Sequence, residues 1–555
     1  MKSAEEFNGV GRVAEPPLWK VWENPIVRRY ARARLRKGGF IGMAITVLVI
    51  AGFMFFVGRA ALDYRTEVAP ADVARGPLLP LFFLQGLIIF LIGTGNATGA
   101  IVQQKDEGII NYQYLSPKTA VSKVIGYLFG VSIREWVLLG LTMPFALWSL
   151  WEGQVPLWAV AQLYCASITA ALMYHLTGIV AGTVMKNKRV AFLGSIGLIC
   201  FLYTFLPQVS KLGLAFLDSL TVFSVGIELL PEFLPEEVGK NLRAGQKFVA
   251  RPGFMGTGLS SFVSTMVAMW TMILLMGNMV WRRWRNPEAH LMGKGVALLG
   301  FVWFAVMLLG HSIPLIDSGQ VFPSRGLEAM FSGARFFRSS VDVTEALIVM
   351  VVSGALLTLV GWILLCIVTP KYETSLRGWR RAQKLGEKRL AWNGDASSAW
   401  WLGVVLTVLA AGTWFIFARE IFLSRHFPEY ELTDGALVFG GVAFLLSFVI
   451  PQMILEWKGM KGVGILLLVS ALPLMLGVFL GVVDEKYLPA VVWLCAASPL
   501  TWVSGASLLA VPPEVIEQEV WRPLSVALPF WLAVFGCFGV WLAWRTLGYR
   551  KGLQG

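Results

Sequence analysis

Arg134 and Glu135 stand inside an otherwise apolar run and are the clear ionisable pair that this chain places in such surroundings. Charge in an apolar segment is expensive and marks an ion pathway, a proton relay or a structural pair. Adjacent residues on a helix point in different directions, so the two need not pair with each other, and snorkelling from the cytoplasmic interface plus a neighbouring partner is expected. His175 and His311 are isolated in or near apolar runs of a chain with four His, and each is expected to hydrogen-bond a neighbouring helix. Cys165, Cys200, Cys366 and Cys537 lie in apolar runs and Cys495 in an apolar connection. That spacing suits neither a disulfide framework nor a zinc site, and they read as small apolar fillers. Met292-Gly293-Lys294-Gly295 lacks the upstream Gly and the following Ser/Thr of a phosphate loop, and neither His-Glu-x2-His nor Gly-x-Ser-x-Gly occurs. These absences predict a chain that is not an enzyme, carries no cofactor or metal of its own, and draws any energy it uses from outside.

The elements that hold these residues follow from the solvent the chain is built for. With 56% hydrophobic and 15% charged residues and a mean hydropathy of +0.66, that solvent is lipid. A helix needs about 20 apolar residues to cross a bilayer. Twelve spans are expected, at 40–57, 78–102, 127–150, 157–184, 190–206, 259–280, 296–313, 346–368, 400–417, 436–455, 463–483 and 525–544. Placing both termini in the cytoplasm puts 31 of the 47 Lys and Arg on the inner face, as positive-inside insertion requires. The same bias explains the net charge of +13 without nucleic acid and suits anionic lipid headgroups. Trp148, Trp151, Trp158, Trp281, Trp284, Trp400, Trp401, Trp541 and Trp544 fall at span ends, where indole anchors a helix at the water–lipid boundary.

Between the second and third spans lies a polar segment, 103–126, in which Asp106, Glu107, Gly108, Pro117, Thr119 and Gly126 are set out with nine residues from Gly108 to Pro117 and nine more to Gly126. Ahead of the first span, Asn24-Pro25 opens a stretch whose Arg28, Arg29, Arg32 and Arg36 share one side, while Ile26, Tyr30 and Ala33 share another. Asn24 suits a helix cap, Pro25 the first helical position, and the two-sided pattern a helix lying in the membrane interface. Both stretches resemble those of ATP-binding-cassette exporter permeases, the type-two membrane subunits. There a basic connector helix precedes span one, and an acidic-Gly, helix, Pro-x-Ser/Thr, Gly segment couples to the ATPase. Ile109, Asn111 and Tyr127 depart from the family pattern, which usually has Thr, Glu and Lys there. The resemblance implies a separate cytoplasmic ATPase, two copies of which bind ATP and Mg and press on residues 106–119. Glu107 is then the expected electrostatic contact, with the ATPase or with the connector helix.

The fold class expected is all-α: a polytopic membrane protein of about twelve transmembrane helices in two six-helix halves, with re-entrant outer segments. Its parts are a cytoplasmic lead with the connector helix (1–39), a first six-span half (40–290) and a second (291–555) in one chain of the cytoplasmic, inner membrane. The outer sections 206–258 and 484–523 mix apolar and acidic residues and are expected to be broken hairpins; Pro499 interrupts 488–510. The counterpart of the first polar segment, 369–399, lacks its Gly-then-Pro boundaries and is dominated by Lys371, Arg377, Arg380, Arg381, Lys384, Lys388 and Arg389. Arg377, Arg380 and Arg381 are therefore expected to dock the ATPase electrostatically. The resemblance implies an exporter of unidentified substrate; an ion-coupled secondary carrier, or an ATPase-linked membrane partner without transport, are the alternatives.

Overall fold

The structure is a computed structural model that describes residues 17–64, 68–116, 118–210, 214–246, 254–322, 343–387, 390–427, 434–511, 513 and 516–552. Residues 1–16 of the lead, Pro117, Lys388 and Arg389 lie outside the described residues. Among the described residues there is no strand, and eleven helices are long and apolar enough to cross a membrane, or twelve when one bent pair counts as a single span. The protein is therefore a polytopic helical protein, and each expected span falls on one of these helices.

The helices are α1 (Pro25–Arg34), α2 (Lys37–Asp63), α3 (Pro70–Asp106), α4 (Ile109–Leu115), α5 (Ala120–Val131), α6 (Ile133–Glu152), α7 (Leu157–Val184) and α8 (Lys188–Ser210). Two short helices, α9 (Phe223–Phe233) and α10 (Glu236–Gln246), precede α11 (Ser261–Arg285), α12 (Lys294–Ser318), α13 (Val343–Val368) and α14 (Tyr372–Lys384). The remainder are α15 (Trp400–Leu423), α16 (Asp434–Lys458), α17 (Met460–Val483), α18 (Leu488–Ala496), α19 (Trp502–Leu509) and α20 (Gln518–Gly552). The expected span 157–184 coincides with α7 residue for residue. The expected span 127–150 is the bent pair, α5 and α6 meeting at 50° across Ser132.

Two compact units are present. One takes the described residues up to 202 with 225–241 and 269–287; the other takes 203–224, 242–268 and the described residues from 288 onward. In the first, Ala51 and Phe55 of α2 pack with Leu81, Leu84 and Ile88 of α3 and Leu138 and Ala146 of α6. Helix α3 lies against α7 at very short range: a Cβ on Gly178 would meet Thr94 O and Thr98 Oγ1 at 2.8 Å, and one on Gly182 would meet Ile101 Cβ at 2.8 Å. Small residues four apart let two backbones approach where lipid gives no hydrophobic drive for association. The Thr98 hydroxyl also meets that of Ser195 on α8 at 2.5 Å.

The π-helical turn Leu87–Ile92 in α3 has a visible partner. His175 Nε2 bonds Ile89 O at 2.9 Å and lies where a Cβ on residue 93 would stand, so Gly93 leaves room for the ring. The expected inter-helical hydrogen bond of His175 is present.

In the second unit, apolar side chains fill glycine gaps. A Cβ on Gly361 would strike Phe448 Cε1 at 2.2 Å and one on Gly354 Val503 Cγ1 at 2.4 Å, while Trp362 Nε1 donates to Ser447 O at 2.6 Å. The expected break in 488–510 is present: α18 and α19 are separate short helices, with Trp502 of α19 fully buried. Three cysteines differ from the expectation, since Cys165, Cys200 and Cys537 are exposed on helix surfaces and fill no gap. Apolar composition fixes that they lie on a span but not which side of it.

Candidate functional site at the junction of α1, α3 and α5

Helix α1 begins as its sequence requires. Asn24 Oδ1 accepts from Ile26 N at 3.0 Å and Pro25 takes the first position. The same amide reaches across to α5, where Nδ2 donates to Ser122 O at 2.8 Å and to Ser122 Oγ at 3.3 Å. Ile26, Val27 and Tyr30 are buried, whereas Ala33 is exposed. The buried face therefore runs 26–27–30–31–34, which corrects the expected placing of Ala33. It faces protein: a Cβ on Gly126 would lie 2.9 Å from Asn24 Oδ1 and Ile26 Cβ, and one on Gly130 would lie 3.0 Å from Tyr30 Cδ2. The Gly126-x3-Gly130 pair on α5 is a seat for α1.

Gln104, near the end of α3, joins these parts. Its Nε2 donates to Tyr30 Oη and its Oε1 accepts from Tyr127 Oη at 2.6 Å. Tyr127 stacks on Trp284 with 4.7 Å between centroids, and Tyr114 of α4 approaches the same indole at 5.6 Å. Trp284 is only 6% exposed, so it is not the boundary anchor its position at a span end suggested; a ring stack holds it inward. Burial raises the Tyr30 phenol above its ordinary range against the opposing pull of Arg29 and Arg34, which keeps it protonated at neutral pH.

The residues of the polar segment hold this junction in different ways. Gly108 is left-handed, with φ +70°, and separates α3 from α4; a side chain there would be strained although open space surrounds it. Asp106 and Glu107 are exposed. Glu107 Oε1 accepts from Gln103 Nε2 at 2.7 Å, one turn back on its own helix, and makes no ion pair with α1 among the described residues. Thr119 caps α5 by accepting from Ser122 N at 3.3 Å. The segment is thus a turn, a short helix and a capped restart.

Farther along, Arg134 and Glu135, which need not pair on helical geometry, do pair with each other. Arg134 Nη2 lies 2.8 Å from Glu135 Oε1, which also accepts from Asn96 Nδ2 at 2.8 Å. The pair sits in the first turn of α6 just after the bend, where the long arginine side chain doubles back over its neighbour. Glu135 is fully buried and its Oε2 has no hydrogen-bond partner among the described residues. Burial lowers the Arg34 guanidinium of α1 below its ordinary value, and nearby Glu135 opposes that shift. Three amides of α3 therefore reach the bent pair at successive levels: Gln85 to Thr142 at 3.0 Å, Asn96 to Glu135, and Gln104 to Tyr127.

The second polar segment is built otherwise. Arg380 and Arg381 of α14 are exposed, and Arg377 lies 3.8 Å from Glu288 with both side chains largely in solvent. Exposed pairs of this kind contribute about 0–1 kcal/mol. Beyond α14, residues 390–399 fold onto helix ends. Lys294, 2% exposed, donates from Nζ to Gly394 O at 2.8 Å and to Ser397 O and Oγ at 2.6 Å. Gly295 N donates to Asn393 Oδ1 at 3.2 Å, and Glu456 of α16 accepts from Ser398 and from Ala399 N. Sequence reasoning counted Lys294 among ordinary cytoplasmic charges, did not single out Gln104, and read Tyr30 only as part of the apolar face of α1. The usable signal for Lys294 was its place between Gly293 and Gly295, where neighbouring backbone can come close. Among the described residues no group of three or more His, Cys, Asp or Glu could hold a metal ion. Comparison with protein-family models, curated proteins and solved structures gave no match to this chain.

Proposed function

We propose that the chain is the membrane-spanning permease subunit of an ATP-binding-cassette exporter, both halves in one polypeptide, that moves its substrate across the cytoplasmic membrane with energy from a separate ATPase. Two copies of that ATPase dock on the inner face and bind ATP and Mg; both chain termini lie on the same face. The observation that carries the reading is the junction itself. A basic helix and the helix–turn–helix at Gly108 are tied by Asn24–Ser122 and Tyr30–Gln104–Tyr127 into one block with the start of the bent pair. A push on α4 is then handed to α3 and, through the Gln85, Asn96 and Gln104 bonds, to α5 and α6. A load applied near Asp106 to Thr119 reaches the apolar region as movement of packed helices.

Glu135 is the observation that favours an ion-coupled carrier instead, being a fully buried acid with one idle oxygen. Its pairing with Arg134 supplies the compensating charge, which supports the structural role. The test is purification from native membranes followed by phosphate release from the chain alone and from the recovered complex. The chain alone is expected to be inactive and the complex active. Turnover by the homogeneous chain, or substrate flux that persists without any ATPase and collapses with an ionophore, overturns the reading.

A further inference from the structure

The apolar face of α1 is occupied by α5, so its arginines do not serve a helix that floats on its greasy side. Arg28, Arg29, Arg32 and Arg36 are exposed, and together with Pro25 and Ala33 they line an open cavity of about 710 Å³. Arg28 Nε is fixed by Trp22 O at 3.0 Å, which also holds the preceding turn with its exposed Leu18, Trp19 and Trp22. Arg36 is the cap residue of α2, and the exposed Ile41, Ile45 and Val49 of that helix begin within two turns of it. A concave cluster of guanidiniums, flanked by exposed indoles and continuous with an exposed apolar helix face, matches a molecule with phosphate at one end and hydrocarbon at the other.

We propose that this cavity is a binding site for the phosphate of an anionic phospholipid, with the acyl chains lying along the exposed face of α2. Guanidinium forms paired hydrogen bonds with phosphate oxygens, and a net negative headgroup satisfies a four-arginine site where a zwitterionic one does not. The site fixes α1, and with it the junction at Gln104, to the leaflet that carries such lipids. It rests on the membrane-spanning part of the reading above and not on an ATPase.

The experiment uses the full chain, purified and delipidated in neutral detergent, and native mass spectrometry with dioleoyl phosphatidylglycerol, dioleoyl phosphatidylcholine, or inorganic phosphate as competitor. Phosphatidylglycerol is expected to be retained about tenfold over phosphatidylcholine, given the attraction that each basic residue has for an anionic lipid. The combined variant Arg28→Gln, Arg32→Gln, Arg36→Gln should lose that preference; the matching triple Lys variant, which keeps the charge, should retain most of it and controls for folding. Equal retention of the two lipids by the wild type, undiminished preference in the Gln variant, or full displacement by millimolar inorganic phosphate each overturns the proposal. So does a Gln variant that keeps its lipid but sheds a bound acidic protein. An ATPase that fails to co-purify leaves the lipid result standing.

Discussion

Gly126→Leu is the sharpest perturbation of the junction. Already a Cβ at 126 stands 2.9 Å from Asn24 Oδ1 and Ile26 Cβ, closer than side-chain carbons approach such atoms. Neither neighbour is a free end: the Asn24 amide is held by its cap and by Ser122, and Ile26 Cβ is one bond from the backbone. The helix must move. Overpacking of this kind costs about 1–3 kcal/mol. Displacement of α1 adds the cap contribution of Asn24, about 1 kcal/mol, and the inter-helical bonds from Asn24 and Tyr30, about 0.6 kcal/mol each in such surroundings. The total is about 3–5 kcal/mol, enough to release α1, because a ten-residue helix does not persist in water unaided. Hydrogen exchange followed by mass spectrometry reads this directly: amides 26–34 should lose about two to four orders of magnitude of protection, while α13, α15 and α16 keep theirs. Gly108→Ala is the control, since no atom lies within 4 Å of its Cβ and only the left-handed backbone is penalised, by about 1 kcal/mol. Unchanged protection of 26–34 with leucine at 126 would refute the seating of α1 on α5, and so would equal loss throughout both units.

The other expectations concern the polar elements. Lys294→Met removes the donor to the buried Ser397 carbonyl, at about 1–3 kcal/mol, while Gly394 O keeps Ser397 N and Oγ, and should deprotect residues 390–399 before any helix of the first unit responds. Glu107→Lys is expected to separate ATP turnover from transport in the recovered complex while leaving assembly intact, whereas Arg380→Glu with Arg381→Glu should reduce the amount of ATPase recovered; the reverse outcome inverts the two roles. Tyr30 carries a raised pKa, so the stability it lends is complete below the ordinary tyrosine value of 10.0 and is lost as pH rises through its higher folded value. Thermal unfolding in detergent between pH 8 and 11 should show the alkaline loss diminished in Tyr30→Phe.

Much of the helical layout was legible because crossing lipid imposes a length and forbids charge, so all twelve expected spans have their helix and 157–184 its limits. Limits blurred where helices run on past the apolar core, as α15 does beyond 417 through Arg419 and Glu420. The Asn24 cap was legible for a local reason, since it needs only its own neighbours. Gln104 was not: it looked like one more polar residue in a polar stretch, and its meaning depends on Tyr30, 74 positions away. Ala33 was misplaced because the pattern on α1 was read for a lipid surface, while the surface it meets is Gly126 and Gly130. Helical geometry left open whether Arg134 and Glu135 pair, since that depends on how the long arginine side chain folds back and on Asn96 of another helix.

The Lys294 clamp bears on how the chain is made. The ammonium at 294 is satisfied by oxygens of Gly394 and Ser397, the latter 103 positions downstream. At about 5–20 residues per second, roughly 5–20 s separate the synthesis of the lysine from that of its acceptors. Throughout that interval the charge requires water, so α12 cannot be sealed at this end, and α13 and α14 are produced against a neighbour that is still open. This end of α12 therefore closes late, after residues 390–399 have been made, and a ribosome stalled between 294 and 394 would hold a chain whose first unit is already able to settle.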